Sequence, residues 1–174
     1  MTELPHSSTL HFSLTTAILQ SPLGPLALTG SEAGLSAVSF LDEAVAATAS
    51  ATIPCCLREA HQQLQAYFGR ELQEFTLTYA PAFGTNFQRQ VWQTLAGIGY
   101  GRTASYLAVA RRLNNPKSVR AVGAANGQNP LAIVWPCHRV IGADGRLTGY
   151  AGGMARKQWL LAFEQPTRQG GLFG

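Results

Sequence analysis

The segment Pro136-Cys137-His138-Arg139 contains the residues best suited to chemistry, a single thiol followed by an imidazole and a guanidinium. A cysteine in such a segment serves packing, metal binding or nucleophilic attack. Pro136 fixes its own φ and has no N–H, so the thiol follows a rigid step in the backbone. His138 and Arg139 supply positive charge and proton-transfer capacity, and such neighbours lower a thiol pKa from about 8.5 toward neutrality. With Trp135 excluding water on one side, the segment favours a nucleophilic thiolate.

The other two cysteines, Cys55 and Cys56, are adjacent, with His61 nearby in the sequence. Vicinal cysteines with one histidine match the spacing of a metal site poorly, so we expect no bound metal. Three cysteines, of which two are adjacent, also make a poor disulfide framework. A reducing cytoplasm is therefore the expected location.

The composition is that of an ordinary globular protein. A length of 174 residues allows one domain or two small ones, and 46% of the residues are hydrophobic. No apolar run approaches the roughly 20 residues of a membrane span, so no membrane partner is expected. The first 13 residues lack a basic stretch followed by an apolar one, which argues against a secretory signal.

Charge is divided unevenly between the two halves of the chain. Residues 1–83 hold two basic and seven acidic side chains, whereas residues 84–174 hold eleven basic and two acidic ones, for a total of +4. A solvated basic face is one explanation. A polyanion that binds the second half explains so sharp a division better.

The first predicted domain, residues 1–83, has the pattern of a small α/β domain with the order β-β-β-α-β. Its first eleven residues are expected to be a loose leader, and the Ala-rich stretch 42–52 is ambiguous between helix and loop. The predicted strands are Leu14–Gln20, Pro25–Thr29, Leu35–Leu41 and Phe75–Tyr79, and the predicted helix carries Leu57, His61, Leu64 and Phe68 on one face and ends at Gly69. No catalytic group stands out in this half.

The second predicted domain, residues 84–174, is mainly helical. It opens with a capping box, Thr85 with Gln88 three residues later. The first helix has Phe87, Val91, Leu95 and Ile98 on one face. The next two helices are predicted at Thr103–Leu113 and Lys117–Ala125, and the last at Ala155–Glu164. Residues 165–174 are predicted to be a flexible tail. The second and third helices, joined by a short turn, have the arrangement of a helix-turn-helix.

The third of these helices carries mainly Arg120 among small residues. A helix that reads bases in the major groove needs several long hydrogen-bonding side chains. Small residues instead permit close approach to a narrow minor groove, and one long cation suits a probe pushed into the base stack. An ordinary packed helix with a surface arginine is the alternative, which the basic surplus of this half disfavours.

Glu164 closes the last predicted helix, where a carboxylate meets the unfavourable end of the helix dipole. A partner such as His138 would offset that interaction. Simple solvation of the carboxylate is the alternative.

A series of short segments in the second half matches one known family in order. The segments are Gly84-Thr85-Asn86-Phe87-Gln88, Val91-Trp92, Ser105-Tyr106, Arg120-Ala121-Val122-Gly123, Asn129-Pro130, Pro136-Cys137-His138-Arg139-Val140, Tyr150-Ala151-Gly152-Gly153 and Lys157 to Glu164. Ala66-Tyr67-Phe68-Gly69-Arg70 extends the match more weakly into the first half. On these residues the chain resembles the O6-alkylguanine-DNA alkyltransferases, also called methylated-DNA–protein-cysteine methyltransferases. The resemblance implies an N-terminal α/β ribonuclease H-like domain followed by a mainly α-helical, winged-helix-like helix-turn-helix DNA-binding domain.

The resemblance also implies a role for each candidate catalytic residue. Cys137 would accept the alkyl group, and His138, oriented by Glu164, would deprotonate it through a water. Asn129 would hold the segment of the cysteine in shape, and Tyr106 would protonate the leaving guanine and contact a phosphate. Because a thioether has no easy route back to a thiol, each molecule would act once, with no cofactor.

The same resemblance implies a partner, double-stranded DNA that contains O6-alkylguanine, with O4-alkylthymine left open. A monomer is expected, and clustering on DNA is left open. Arg120 would fill the stack vacated by the flipped base. The residues expected at the DNA are Tyr106, Ser118, Arg120, Ala121, Gly123 and Ala124, and those expected around the alkylguanine are Trp135, Val140, Tyr150, Ala151 and Gly152.

Three positions depart from the family pattern. Trp135 stands where a smaller aliphatic residue is usual, Leu107 where glycine is frequent, and Gly99 where proline precedes the tyrosine. Trp135 is expected to narrow or reorganise the alkyl pocket.

Two other functions compete with alkyl transfer at this point. A damage sensor would flip the alkylated base and recruit repair factors without chemistry, and it would bind DNA with no gain of mass. A thiol hydrolase with a Cys-His-Glu arrangement would turn over repeatedly. The hydrolase leaves the helix-turn-helix unexplained.

Overall fold

The computed structural model describes residues 13–42 and 52–165. Its strands are β1 (Thr15–Leu19), β2 (Leu26–Ser31), β3 (Gly34–Phe40), β4 (Ala104–Ser105) and β5 (Val140–Ile141), and its α-helices are α1 (Arg58–Phe68), α2 (Asn86–Ala96), α3 (Tyr106–Arg112), α4 (Val119–Gly127) and α5 (Met154–Glu164). Short 3-10 helices lie at Cys55–Leu57, Pro116–Ser118 and Cys137–Arg139. The predicted leader, most of the ambiguous stretch 42–52 and the predicted tail beyond residue 165 fall outside the described residues.

Strands β1, β2 and β3 form an antiparallel sheet in that order. Leu19 pairs with Leu26 across the first turn, and Ser31 pairs with Gly34 across the second. Leu28 of the central strand is fully buried and belongs to the same core as Leu64 of α1. The order β-β-β-α predicted for this half is confirmed.

The outer edge of β3 binds two other segments of the chain. The N–H of Val38 donates to the Pro130 carbonyl at 2.8 Å, and the Val38 carbonyl accepts from the Ala132 N–H at 3.0 Å. Nearer the start of β3, Leu35 forms a parallel bridge with Tyr79. The sheet therefore holds the segment that leads to the candidate nucleophile.

The strand predicted at Phe75–Tyr79 is wrong. Within the described residues, the pairing of this segment is confined to the bridge at Tyr79, where Leu35 binds the carbonyl of Thr78 and the N–H of Ala80 at 2.9 Å each. The segment containing Pro130 and Ala132 binds the edge of β3 at Val38, three residues beyond Leu35. Phe75–Tyr79 therefore cannot pair with β3 along its length, although its side chains alternate as in a strand.

The capping box predicted at the start of α2 is formed. The Thr85 hydroxyl accepts from the Gln88 N–H at 3.2 Å, and the Gln88 side-chain oxygen accepts from the Thr85 N–H at 2.7 Å. Helix α2 buries Leu95 and Trp92, whose indole N–H donates to the Ala125 carbonyl at 2.8 Å. This bond fixes α2 on α4.

Helix α3 begins at Tyr106, three residues later than predicted. The preceding residues form β4, which pairs in parallel with β5. The Ser105 hydroxyl then caps the helix by accepting from the Ala108 N–H at 3.1 Å. A short pairing with a distant segment, which the local sequence does not encode, therefore replaces the first turn of the predicted helix.

Helix α4 begins at Val119 and continues through Gly127, whereas the sequence predicts Lys117–Ala125. The 3-10 turn before it contains Pro116, and Asn114 in the preceding turn has a φ of 54°. Helices α3 and α4 with this turn form the predicted helix-turn-helix.

Helix α5 agrees with its predicted range within one residue, but of Trp159, Leu160 and Phe163, which the sequence predicts to be buried, only Leu160 is fully buried. Trp159 and Phe163 are only partly buried and stack with 4.7 Å between ring centroids. The fully buried side chains are Lys157, Leu160 and Glu164. Lys157 and Glu164 are therefore buried although they are charged, and a pattern of apolar residues does not predict such positions. None of the helices in the described ranges is long and apolar enough to cross a membrane.

Candidate active site around Cys137

Cys137 follows two tight turns of the backbone. Ile133 has a φ of 72°, which is rare for a β-branched residue, and the next N–H donates across it to the preceding carbonyl at 2.8 Å. Pro136 has φ −79° and ψ 64°, and the Cys137 N–H donates across it to the Trp135 carbonyl at 2.7 Å. Both are γ-turns. The turn at Ile133, with its positive φ, is the strained one, and strained backbone concentrates at functional sites, where the surrounding structure holds it in place.

The Asn129 side chain bridges this segment. Its Nδ2 lies 2.7 Å from the Trp135 carbonyl oxygen and 3.1 Å from the Cys137 Sγ. Its Oδ1 accepts from the Leu131 N–H at 3.0 Å. One amide thus joins both ends of the turn and contacts the sulfur.

His138 and Glu164 meet in the core, as the sequence predicts. His138 Nε2 lies 2.9 Å from Glu164 Oε1, and both side chains are almost fully buried. The sequence did not indicate the role of Arg139, whose Nε and Nη2 bind the same carboxylate at 2.8 and 2.9 Å. Tyr67, to which the sequence assigned no role, also binds Glu164.

The pKa values of this pair follow from their burial and their contacts. Burial acts to raise the pKa of Glu164, but hydrogen bonds from His138 and Arg139 outweigh it and lower the pKa to about 2. Burial lowers the pKa of His138 despite the nearby carboxylate. At neutral pH the pair is therefore a carboxylate and a neutral imidazole. With Nε2 bound to Glu164, His138 Nδ1 is buried without a partner in the described part of the chain and can accept a proton.

The Cys137 thiol is 4% exposed, and burial raises its pKa more than the Asn129 bond and the Lys157 charge lower it. The expectation of a lowered thiol pKa is therefore wrong for the protein without DNA. Arg139, expected to favour the thiolate, binds Glu164 instead, and His138 is neutral. The thiol is held protonated until a base removes its proton.

Lys157 is a buried cation that the sequence did not assign to the site. Its Nζ donates to the Val140 carbonyl at 2.7 Å and the Thr148 carbonyl at 3.1 Å. Burial lowers its pKa, and the neighbouring Cys137 opposes that shift. Lys157 thus joins α5 to the segment after the cysteine and to the loop that follows it.

A cavity of about 500 Å³ lies between the helix-turn-helix and this loop. It is lined by Tyr106, Val119, Gly123, Gly127, Thr148, Gly149, Tyr150 and Ala151. The Tyr150 hydroxyl is buried without a hydrogen-bond partner among the described residues. Burial and the nearby Cys137 raise its pKa, so it remains a phenol close to the thiol.

The other predicted pocket residues lie behind this surface. Val140 is fully buried, and its carbonyl is bound by Lys157. A Cβ added at Gly152 would lie 2.7 Å from ring atoms of Phe40 and of Tyr150. Gly152 therefore lets Tyr150 pack against the first half of the chain.

The structure does not place Trp135 on this cavity, contrary to the prediction. Its ring is 6% exposed, stacks on Trp92 at 5.8 Å and packs against Tyr79 at 5.4 Å. Because Pro136 turns the chain immediately afterwards, the indole points into the core while the thiol lies elsewhere. Trp135 is a core residue, and it does not narrow the cavity.

The residues predicted to contact DNA lie on the outer face of α4 and beside it. Arg120, Ala121 and Ala124 are exposed, and Ser118 and Gly123 are partly exposed. The ring of Tyr106 lies beside Gly123, and its hydroxyl is 2.7 Å from the Thr148 Oγ1. Exposed basic side chains elsewhere in this half are Arg89, Arg102, Arg111, Arg112, Lys117 and Arg146.

Among the described residues, no group of three or more His, Cys, Asp or Glu side chains is placed to hold a metal ion. All three cysteines are free thiols, and Cys55 is exposed.

Two family models match the chain in sequence. Residues 14–81 match the 6-O-methylguanine DNA methyltransferase ribonuclease-like domain, and residues 86–166 match the DNA-binding domain of the same family. The methylated-DNA–protein-cysteine methyltransferase of Methanosarcina acetivorans is 46% identical over 155 residues, which cover 85% of this chain and 96% of that protein.

Solved structures give the same result. The Mycobacterium tuberculosis O6-methylguanine methyltransferase is 41% identical and superposes with a TM-score of 0.76 over 88% of this chain and 93% of its own. The Mycobacterium tuberculosis OGT in complex with DNA is 43% identical, with a TM-score of 0.76 over 86% and 92% of the two chains.

Fold and site define a two-domain protein with a ribonuclease-like first half and a DNA-binding second half, so the predicted fold class is confirmed. The chain belongs to the 6-O-methylguanine DNA methyltransferase family. DNA is accordingly its partner.

Proposed function

We propose that this chain, which is a methylated-DNA–protein-cysteine methyltransferase and repairs DNA by direct reversal, moves the alkyl group of O6-alkylguanine to Cys137. The observation that carries this proposal is the buried pair formed by His138, which directly follows the cysteine, and Glu164, with 2.9 Å between Nε2 and Oε1. The family and the names of its relatives support the same activity.

DNA binding brings the lesion to the thiol. Basic side chains exposed on the second half supply affinity that does not depend on sequence. A base inside a duplex is out of reach, so the alkylated nucleotide is flipped out, at a cost of a few kcal/mol. Arg120, exposed on α4 among small residues, replaces lost stacking. The flipped guanine enters the cavity of about 500 Å³ beside Tyr150 and Ala151.

Proton transfer precedes alkyl transfer. His138 Nδ1 takes the thiol proton through a water, and Glu164 stabilises the imidazolium that forms. The thiolate attacks the alkyl carbon, the S–C bond forms as the C–O6 bond breaks, and the electron pair of that bond remains on guanine. Tyr106, on the wall of the cavity, donates a proton to the guanine ring and regains one from solvent.

The product is a thioether at Cys137, so each molecule reacts once, and the reaction as written uses no cofactor. Asn129 keeps the segment in its tight turns so that the sulfur is positioned for attack. We further propose a monomer in the cytoplasm, where free thiols such as Cys55 and Cys56 are kept reduced.

We place the boundary between the two domains before Gly84. Its φ of 118° favours glycine, and an added Cβ would lie 2.5 Å from the Trp92 ring. The chain therefore turns there against α2, as a linker entering a new domain does.

Intact mass spectrometry after incubation with a duplex containing O6-methylguanine tests the proposal. We expect a gain of one methyl group, mapped to Cys137 by peptide analysis and abolished in Cys137→Ala. Tight binding with unchanged mass would instead identify a sensor, and continuing turnover of an ester would identify a hydrolase.

A further inference from the structure

The Glu164 carboxylate is bound by more side chains than His138 and Arg139 alone. Oε1 accepts from Tyr67 Oη at 2.8 Å, from His138 Nε2 at 2.9 Å and from Arg139 Nη2 at 2.9 Å. Oε2 accepts from Arg139 Nε at 2.8 Å and contacts the Gly101 N–H at 3.4 Å. Tyr67 differs from the other donors because it comes from α1, in the ribonuclease-like half.

The hydroxyl of Tyr67 has no freedom to leave this position. The side chain is fully buried at the end of α1. Its ring is enclosed by four aromatic rings, with centroid distances of 5.2 Å to Phe68, 5.6 Å to Phe75, 6.1 Å to Tyr100 and 5.6 Å to Phe163. Edge-on and tilted packing of this kind fixes ring orientation.

Tyr67 acts on Glu164 only as a donor. Burial, followed by the charge of Glu164, raises its pKa far above the ordinary value, so the phenol stays protonated at any working pH. A buried hydrogen bond from a neutral donor spreads the charge of the carboxylate without cancelling it.

We propose that Tyr67 is a positioning residue for alkyl transfer, whose hydroxyl orients Glu164 and limits how strongly this carboxylate attracts a proton onto His138. The inference rests on the proposed function, since it concerns the relay that would deprotonate Cys137. It gives the ribonuclease-like half a direct part in the chemistry performed by the DNA-binding half.

Loss of this one hydroxyl has a defined electrostatic consequence. Without it the charge on Glu164 is less compensated, so the imidazolium form of His138 is stabilised and less neutral imidazole is available as a base. The other titratable groups that face Glu164 and His138 are Tyr100, Cys137, Arg139, Tyr150 and Lys157. Tyr67→Phe leaves all of them in place.

The test compares wild type, Tyr67→Phe and Tyr79→Phe in single-turnover methyl transfer from an O6-methylguanine duplex across pH 5 to 9. Tyr79 is the matched control because it is a half-buried tyrosine whose ring packs on Trp135. For Tyr67→Phe we expect the acid limb of the rate profile to move up by about half a unit to one unit. The rate then falls by about three- to tenfold on that limb and recovers at high pH.

Tyr79→Phe should keep the wild-type limb. Superimposable profiles for Tyr67→Phe and wild type would overturn the proposal. So would a loss in Tyr67→Phe that is equal at every pH, because that pattern reflects packing alone.

An NMR titration of the His138 ring in the DNA-free, full-length protein gives a second readout that does not need activity. We expect His138 to become protonated at a higher pH in Tyr67→Phe than in wild type, and an unchanged titration would overturn the inference. If wild type fails to transfer a methyl group, the proposed function fails while the titration still decides the contact between Tyr67 and the relay.

Discussion

At the scale of single residues, the structure holds the proposed nucleophile protonated and covered. Burial raises the pKa of the Cys137 thiol, and the sulfur contacts the Asn129 amide. The base beside it, His138, is neutral and has one nitrogen already committed to Glu164. In the proposed mechanism, activation therefore comes from proton transfer to His138 during the reaction and does not need a standing thiolate. Such an arrangement would protect a cysteine that the proposed reaction uses only once.

The rate at which iodoacetamide alkylates each cysteine should depend on how exposed and how ionised its thiol is. We expect Cys55, which is exposed, to be labelled well before Cys137 at pH 7, because Cys137 is buried and protonated. Labelling of Cys137 should accelerate as pH rises. Peptide mass mapping of a time course measures both rates, and faster labelling of Cys137 than of Cys55 at pH 7 would contradict the protonated, buried thiol.

The depressed pKa of Glu164 makes stability depend on acid pH. Because its pKa falls from 4.5 to about 2 on folding, its contribution to the free energy of unfolding is present above pH 4.5 and is lost as pH falls toward 2. Denaturant unfolding at several pH values should show this loss in wild type and not in Glu164→Gln. Asp144→Asn, which removes an exposed carboxylate paired with Arg146, is the control and should keep the wild-type slope. An unchanged slope in Glu164→Gln would refute the assignment.

At the scale of elements, distant segments of the chain position the residues of the site. The edge of β3 holds the turn before the cysteine, β4 pairs with the strand after it, and α5 supplies both Glu164 and Lys157. Local patterns predicted the three strands of the sheet and the capping box, and the family resemblance implied the contact of His138 with Glu164. They could not predict that Phe75–Tyr79 lacks a ladder or that Ala104–Ser105 leaves the helix, since both depend on partners far along the chain.

The side chains that the sequence placed wrongly share a cause. Trp135 and Arg139 lie within two residues of Cys137, but the turn at Pro136 and the 3-10 helix after it point them into the core. Tyr67 was missed because a tyrosine at a helical core position is ordinary, and its special contact is with a residue 97 positions away. Sequence proximity to a nucleophile does not establish contact with it.

Gly152 sets how closely the loop after the cysteine packs on β3. Because a Cβ there would lie 2.7 Å from ring atoms of Phe40 and Tyr150, we expect Gly152→Ala to lower the free energy of unfolding by about 1–3 kcal/mol. Gly149→Ala, in the same loop with nothing within 4 Å of the added Cβ, is the matched variant. Denaturant unfolding measures both, and equal effects would show that the close packing at Gly152 is not limiting.

In the proposed mechanism, helix α4 contributes Arg120 to the step that flips the base. Because unstacking costs a few kcal/mol, we expect Arg120→Ala to slow repair of a saturating O6-methylguanine duplex by about tenfold or more. Alkyl transfer from free O6-benzylguanine, which needs no flipping, should be nearly unaffected. Lys117→Ala, which removes an exposed cation from the preceding turn, controls for charge alone. Equal losses on both substrates would refute the role of Arg120 in the base stack.

At the scale of the whole molecule, the two halves have different roles, and both contribute side chains to the hydrogen-bonded group around Glu164. The second half carries the basic surface, the cavity and the thiol, although Arg139 and Lys157 are buried and so do not contribute to that surface. The first half supports the cysteine segment through β3 and binds Glu164 through Tyr67. The acidic surplus of the first half and the basic surplus of the second also favour binding of DNA by the second half.

The most direct test of irreversible transfer to one sulfur is to incubate the protein with an excess of O6-methylguanine duplex. The amounts of repaired guanine and of methylated protein are measured in the same reaction. We predict that both plateau at one per protein molecule and that all of the methyl is found as a thioether on Cys137. Repair that continues past one equivalent, or repaired guanine without methyl on Cys137, would contradict the account.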